Sequence, residues 1–253
     1  MKIKKYALIS VYDKKNLSVI CKLFKKYNID LMSTGSTADE IKKLGYKCSL
    51  VADLTQFNEI LGGRVKTLHP KIHASLLHNR DDKNHIDTFS DLNFPTIDYV
   101  IVNLYPFEKT VKKNSNKSDC IEMIDIGGYS LLRSAAKNFN FVTSIADKSD
   151  YASFIKNMNE GKGKTTLSYR KKMAGKIFSI TSNYDKNIAK WLTNKGGPVD
   201  KIILKYGENP NQKSTFYKDK KIKSIFDSKI QGKEIGYHNV VDFDAGLNCI
   251  NAF

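Results

Sequence analysis

Tyr99-Val100-Ile101-Val102-Asn103-Leu104 is the stretch on which the fold turns. Its apolar residues follow one another without alternating with polar ones, the pattern of a strand buried on both faces. Such strands belong to parallel sheets covered by helices on two sides. Working outward, Tyr6-Ala7-Leu8-Ile9-Ser10-Val11 is a second run of this kind. Asp13 is placed to cap the helix that follows, where Leu17, Ile20 and Phe24 fall at helical spacing. Ile29 to Met32 reads as another strand, Ser33-Thr34-Gly35-Ser36-Thr37 as a turn, Ala38 to Leu44 as a short helix stopped by Gly45, and Cys48 to Val51 as a third short strand. On the far side of the opening run, Gly127-Gly128 begins a helix reaching about Lys137, and Phe141 to Ala146 is strand-like. This alternation predicts an α/β fold, a mostly parallel sheet with helices on both faces. In such sheets ligands bind beyond the carboxyl ends of the strands, where Ser10, Thr34 and Asn103 lie.

From Lys148 to Leu192 the pattern turns helical, and Gly196-Gly197-Pro198 breaks it as a linker would. The expected division is residues 1–197 as one domain and 198–253 as a truncated α/β segment. That second piece, about 55 residues, is marginal for an independent domain without staples.

The composition narrows the function classes. With 253 residues, 41% hydrophobic and 27% charged, the balance is that of a globular protein. No stretch approaches the roughly 18 consecutive apolar residues of a membrane span. The first apolar run leads into Asp13-Lys14-Lys15 rather than a small-residue cleavage site, so no signal peptide is expected. Cys21, Cys48, Cys120 and Cys249 are scattered, which fits a reduced, cytoplasmic protein. The formal net charge of +16 suggests polyanions, but of 42 basic residues only Arg64, Arg80, Arg133 and Arg170 are arginines. Nucleic-acid surfaces favour arginine and interleaved aromatics, so no nucleic-acid partner is expected. The charge suits steering of a small phosphorylated anion.

Four places concentrate polar residues at strand or loop ends. Ser10-Val11-Tyr12-Asp13-Lys14 feeds a helix; Thr34-Gly35-Ser36-Thr37 puts hydroxyls and a glycine at a helix start, where backbone N–H groups form a phosphate site or simply a capped turn. In Gly62-Gly63-Arg64-Val65-Lys66-Thr67-Leu68-His69-Pro70, two glycines permit close backbone approach and Arg64, Lys66 and Thr67 offer charge and a hydroxyl; a solvated basic loop is the bland alternative. His69, His73 and His78 lack a carboxylate or cysteine partner in the run, so no metal site is expected. The fourth place joins Asn103-Leu104-Tyr105-Pro106-Phe107, Asp125-Ile126-Gly127-Gly128 and Lys137; helix-end capping accounts for Asp125 and Lys137 singly.

Taken together and in order, these motifs, with Arg133-Ser134-Ala135-Ala136-Lys137-Asn138, resemble the amino-terminal half of the bifunctional purine-biosynthesis enzyme AICAR transformylase/IMP cyclohydrolase. The resemblance runs from Ala7 to Phe253. It implies a methylglyoxal-synthase-like fold and closure of 5-formamidoimidazole-4-carboxamide ribotide to IMP, with no metal or organic cofactor. It also implies a homodimer. By residue, the resemblance puts the 5′-phosphate among Ser10, Lys14, Thr34, Gly35, Ser36, Thr37 and Thr67 with Arg64 nearby, adds Asn103 and Gly127 to the substrate site, and sets Lys66, Tyr105, Asp125 and Lys137 around the reacting groups. Two positions depart from the family: Tyr12, where a small residue is usual, and Ser36, usually glycine. Lys205-Tyr206-Gly207-Glu208-Asn209-Pro210 resembles the opening of the transformylase domain, whose Lys-His pair would fall beyond Phe253. That missing part would use 10-formyltetrahydrofolate as co-substrate. Two other readings share the fold, a methylglyoxal-synthase-type lyase and a non-catalytic nucleotide-sensing domain.

Overall fold

The structure, a computed structural model, describes residues 5–113, 116–193, 199–209, 211–219, 227 and 229–252. The expected break at Gly196-Gly197-Pro198 and Pro210 of the Tyr206 motif lie outside them. The chain divides into two compact units, Met1–Lys186 and Asn187–Phe253.

The first unit is built on strands β1 (Lys5–Val11), β2 (Asp30–Ser33), β3 (Ser49–Leu50), β4 (Thr96–Asn103) and β5 (Thr143–Ile145). All pair in parallel in the order β3-β2-β1-β4-β5. Among the described residues, ten α-helices accompany them in sequence: α1 (Leu17–Lys26), α2 (Gly35–Lys43), α3 (Val51–Thr55), α4 (Pro70–Leu77), α5 (Lys83–Asp91), α6 (Phe107–Lys112), α7 (Lys117–Glu122), α8 (Gly127–Lys137), α9 (Tyr151–Glu160) and α10 (Leu167–Leu192), the last of which runs on past Lys186. The opening run is thus the central strand β4, paired with β1 so that Leu8 lies opposite Val100 and Val11 opposite Asn103.

Alternate residues of these strands feed two separate cores. Ala7, Ile9, Val11, Tyr99 and Ile101 pack with Leu17, Ile20 and Phe24 of α1 and Phe154 of α9. Leu8, Val100 and Val102 pack with Ile72 and Leu76 of α4 and Leu131, Leu132 and Ala135 of α8. Each such side chain contributes about 1.5–3 kcal/mol on burial, which is why the run carries no polar residue until Asn103 at its carboxyl end. At the other end of β4, Arg80 pairs with Asp98 at 2.5 Å and donates to the Ile97 carbonyl at 3.1 Å.

Several expected boundaries move for local reasons. Asp13 does not cap α1; Asn16, in the left-handed region at φ 63°, occupies the cap position, while the Asp13 carboxylate accepts the Lys15 N–H and pairs with Lys148 at 2.6 Å. Helix α2 starts at Gly35, so the expected Ser33–Thr37 turn is in large part the first turn of a helix. β3 is only two residues long because Asp53 accepts the Leu50 N–H and starts α3 at Val51. The strand expected over Phe141–Ala146 narrows to Thr143–Ile145. The helical stretch after Lys148 is two helices, parted where Gly163 takes φ +88° against the Tyr27 ring.

In the second unit, β6 (Val199–Leu204) and β7 (Ser214–Asp219) form an antiparallel pair with Ile202 opposite Phe216, and α11 (Tyr237–Ile250) follows. No described side chain of α11 is buried.

Candidate active site

β1 lies between β2 and β4, and the chain leaves it in opposite directions across the sheet. The carboxyl ends of β1 and β4 therefore flank the topological switch point, where open α/β sheets leave a crevice. A cavity of about 920 Å³ opens there. Of the residues expected at a site, Ser10, Lys14, Thr34, Ser36, Thr37, Arg64, Lys66, Thr67, Asn103, Tyr105, Asp125 and Gly127 line it. Gly35 is the first residue of α2, between two lining residues, but is not itself one.

One end of the cavity is suited to an anion. Thr34 is the N-cap of α2 but its side chain makes no capping hydrogen bond, which leaves first-turn N–H groups open to a ligand. Lys14 Nζ donates to Ser36 Oγ at 3.2 Å, bringing the ammonium to that same turn. Ser36 thus acts as a hydroxyl partner of Lys14. Thr37 plays a different part: its hydroxyl donates to the Val11 carbonyl at 3.1 Å and accepts the Val11 N–H at 3.3 Å, fastening α2 to the end of β1. Asn103 is likewise a fastener. Its Oδ1 accepts the N–H groups of Tyr12 (2.6 Å) and Asp13 (3.0 Å), and its Nδ2 donates to the Asp13 carbonyl at 3.1 Å.

The other end is suited to proton transfer. Asp125 precedes α8, and its Oδ1 accepts the Gly128 N–H at 2.8 Å. Burial pushes its carboxyl above the usual carboxylate range, opposed by hydrogen bonds from the α8 first turn and by the positive charge of Lys66. Gly127 and Gly128 are what permit this packing. A Cβ on Gly127 would meet Thr67 Oγ1 at 2.6 Å, and one on Gly128 would meet Asp125 Oδ2 at 2.7 Å and Val102 Cγ1 at 3.0 Å. Thr67 is only 2% exposed, and its hydroxyl has no partner among the described residues although it borders the cavity. A buried hydroxyl with nothing to bond is costly, so Thr67 is poised for a ligand.

Arg64 is committed elsewhere than the anion end. It forms an ion pair with Glu122, with its Nε donating to Glu122 Oε2 at 3.4 Å, and both residues line the cavity. The pair raises the Arg64 guanidinium and lowers the Glu122 carboxyl from their ordinary values. Lys137 does not reach the cavity. It is the last residue of α8, ten residues and about 15 Å along the axis from Gly127, and it is exposed. The order of the motif along the sequence hid that separation.

Three contributors escaped the sequence reading. Glu59 places Oε2 at 3.9 Å from Lys66 Nζ, in the space left by Gly63, whose φ is +91° and whose Cβ would approach Glu59 Oε1 to 2.6 Å. Tyr184 of α10 accepts the Asp125 N–H at 2.9 Å and donates to the Met123 carbonyl at 2.6 Å, clamping the loop that carries the carboxylate. Burial lifts the Tyr184 phenol to about 12, so it stays a neutral donor. Glu122 is the third. Each acts on a partner through a contact that no local spacing reveals.

A parallel α/β sheet with a polar cavity at its switch point is the architecture of an open α/β ligand-binding class. Residues 16–130 match the family model described as the MGS-like domain, and residues 135–253 match the model of the AICARFT/IMPCHase bienzyme. One part of the chain is thus similar to an MGS-like domain and the part that follows it to a stretch of the AICARFT/IMPCHase bienzyme. Over 98% of its length the chain is 42% identical to the bifunctional purine biosynthesis protein PurH of Bradyrhizobium diazoefficiens, covering 49% of that protein. For PurH of Lactobacillus acidophilus the figures are 43%, 98% and 51%, and for that of Bacteroides thetaiotaomicron 41%, 98% and 50%. The chain thus spans about half the length of these relatives. Among solved structures, the crystal structure of ForH matches with a TM-score of 0.66 at 27% identity, over 76% of this chain and 98% of that one.

Proposed function

We propose that this chain is an IMP cyclohydrolase, closing 5-formamidoimidazole-4-carboxamide ribotide to IMP with loss of water. The observation that carries the reading is the half-buried, raised Asp125 carboxyl close enough to feel Lys66, in one cavity with the Lys14–Ser36–α2 anion end. A carboxylate held above its ordinary range is a better proton acceptor near neutrality. In the reaction the carboxamide nitrogen bonds to the formyl carbon and gives up one proton, to Asp125. The formyl oxygen takes up negative charge, which the Lys66 ammonium stabilises. That oxygen takes the first proton back from Asp125 and leaves as water, with the second proton coming from the formamido nitrogen as the C=N bond forms. Tyr105, which also lines the cavity, relays protons in this reading. Fixing both ends of the ribotide makes the closure a positioned intramolecular step, which supplies much of the acceleration. The phosphate belongs at the anion end, with the Thr67 hydroxyl turned to the ligand; Lys137 acts at a distance from this cavity or not at all.

The same reading takes residues 1–197 as the cyclohydrolase domain and 198–253 as the start of a transformylase domain, in a cytoplasmic homodimer. Neither a metal nor an organic cofactor enters the ring closure. Formyl transfer from 10-formyltetrahydrofolate belongs to the full-length relatives. The test is the rise of IMP absorbance when the formylated ribotide is added to purified chain. Turnover is expected, with Lys66→Ala losing mostly kcat. Binding of a purine monophosphate without turnover would establish a nucleotide-sensing domain instead, and unchanged kcat in Lys66→Ala would remove the charge-stabilising role.

A further inference from the structure

A second cavity, of about 680 Å³, shares Tyr12, Lys14 and Asn103 with the first. Tyr12 stands in the wall between them. Its backbone is pinned by Asn103 at 2.6 Å, and its ring, 52% exposed, meets Tyr105 edge-on with centroids 5.6 Å apart. Beyond this wall the lining is basic: Lys14, Lys109, Lys113 and Lys148 face the hollow against only Asp13 and Asp147.

Both carboxylates are already engaged. Asp13 pairs with Lys148 at 2.6 Å, and that ammonium holds its carboxyl below the usual range. Asp147 accepts the Ser149 N–H at 2.8 Å. Lys109 and Lys113 have no ion-pair partner among the described residues. They are four residues apart, at the end of α6 and its C-cap, where like charges repel. Complementing a helix dipole is the bland account of such lysines. Here it is weak, because α6 has only six residues and both side chains border a cavity.

Lys14 is the link. Its ammonium lies at the anion end of the first cavity through Ser36, and the same side chain borders the second. A phosphate held by Lys14 therefore borders the hollow that the unpaired lysines line. We propose that this second cavity receives the outer phosphates of purine nucleoside di- and triphosphates, so that these compete with the ribotide for the cyclohydrolase site. The proposal rests on the cyclohydrolase reading for the placement of the first phosphate.

Isothermal titration of the full chain with IMP, IDP, ITP and free tripolyphosphate tests it. The wild-type chain is expected to bind ITP at least tenfold more tightly than IMP, and the Lys109→Ala/Lys113→Ala variant to lose that preference. IMP affinity and ring-closing turnover of the variant stay unchanged, which also shows that it is folded. Equal affinity for IMP and ITP overturns the proposal, as does a preference that survives the double substitution. An equal loss in a Lys42→Ala/Lys43→Ala variant, at the distant end of α2, overturns it as well, because general surface charge would then be the cause. If IMP itself does not bind, the cyclohydrolase reading fails. The second cavity is then judged on tripolyphosphate alone, whose binding must disappear in the Lys109/Lys113 variant for an anion pocket to stand.

Discussion

Asp125 concentrates the conflict between folding and chemistry in one side chain. Burial raises its carboxyl above the ordinary 3.8, while the Gly128 N–H and the Lys66 charge pull it part of the way back. A carboxyl whose folded value exceeds its unfolded one favours the folded state at low pH. That contribution is lost as pH rises from 3.8 through the raised folded value. Asp125→Asn should therefore melt higher than the wild type near neutrality, with the difference shrinking in acid, while turnover falls by about 10²- to 10⁴-fold. Thermal melts at the two pH values, with rates on the formylated ribotide, check both halves; a variant less stable than wild type at neutral pH would contradict the desolvation argument. Asp125, Lys66 and Thr67 were legible in the sequence because each lies in a motif of distinctive composition. Glu59, Glu122 and Tyr184 were not. Glu122 meets Arg64 across 58 positions and Tyr184 meets the Asp125 backbone across 59, so no spacing along the chain announces either contact.

At the scale of elements, the amino terminus of α8 is where packing and site coincide. Gly127 and Gly128 draw the helix against Thr67, Asp125 and Val102, closer than any side chain would allow. Gly128→Ala puts a methyl 2.7 Å from Asp125 Oδ2 and 3.0 Å from Val102 Cγ1, which packs in the core under the helix. The overpacking should cost about 1–3 kcal/mol. Since the carboxylate is the softer neighbour, the damage falls on kcat more than on folding. A urea melt paired with steady-state kinetics separates the two, and full activity in a destabilised variant would show that Asp125 is held by something other than this helix. The strands themselves were legible: unbroken apolar runs at Tyr6–Val11 and Tyr99–Val102 leave few choices once both faces need cover. β3 and the start of α2 were misjudged because capping by Asp53 and a glycine start decide them, and neither alters the hydrophobic pattern. Lys137, expected beside the reacting groups, ends α8 and does not line the cavity, since a helix carries neighbours in a motif away from its start at about 1.5 Å per residue.

For the molecule as a whole, the formal charge of +16 acts at two ranges that salt can separate. The Lys14–Ser36 contact at the anion end is open to solvent, and the surrounding lysines raise the local concentration of a phosphate ester before it touches the site. Screening shortens that reach from about 10 Å at 0.1 M salt to about 3 Å at 1 M. Asp125 is half-buried and its carboxyl desolvated, so its interaction with Lys66 is less exposed to mobile ions. Raising ionic strength should therefore raise KM for the ribotide several-fold and leave kcat nearly constant. Arginine-poor charge strengthens the expectation, because lysine holds phosphate as a point charge without the bidentate geometry that would resist competing salt. Initial rates across a salt series at fixed pH measure it. A kcat that falls in parallel with kcat/KM would mean that the reacting end is open to salt, and the proton acceptor would then have to be sought elsewhere in the cavity.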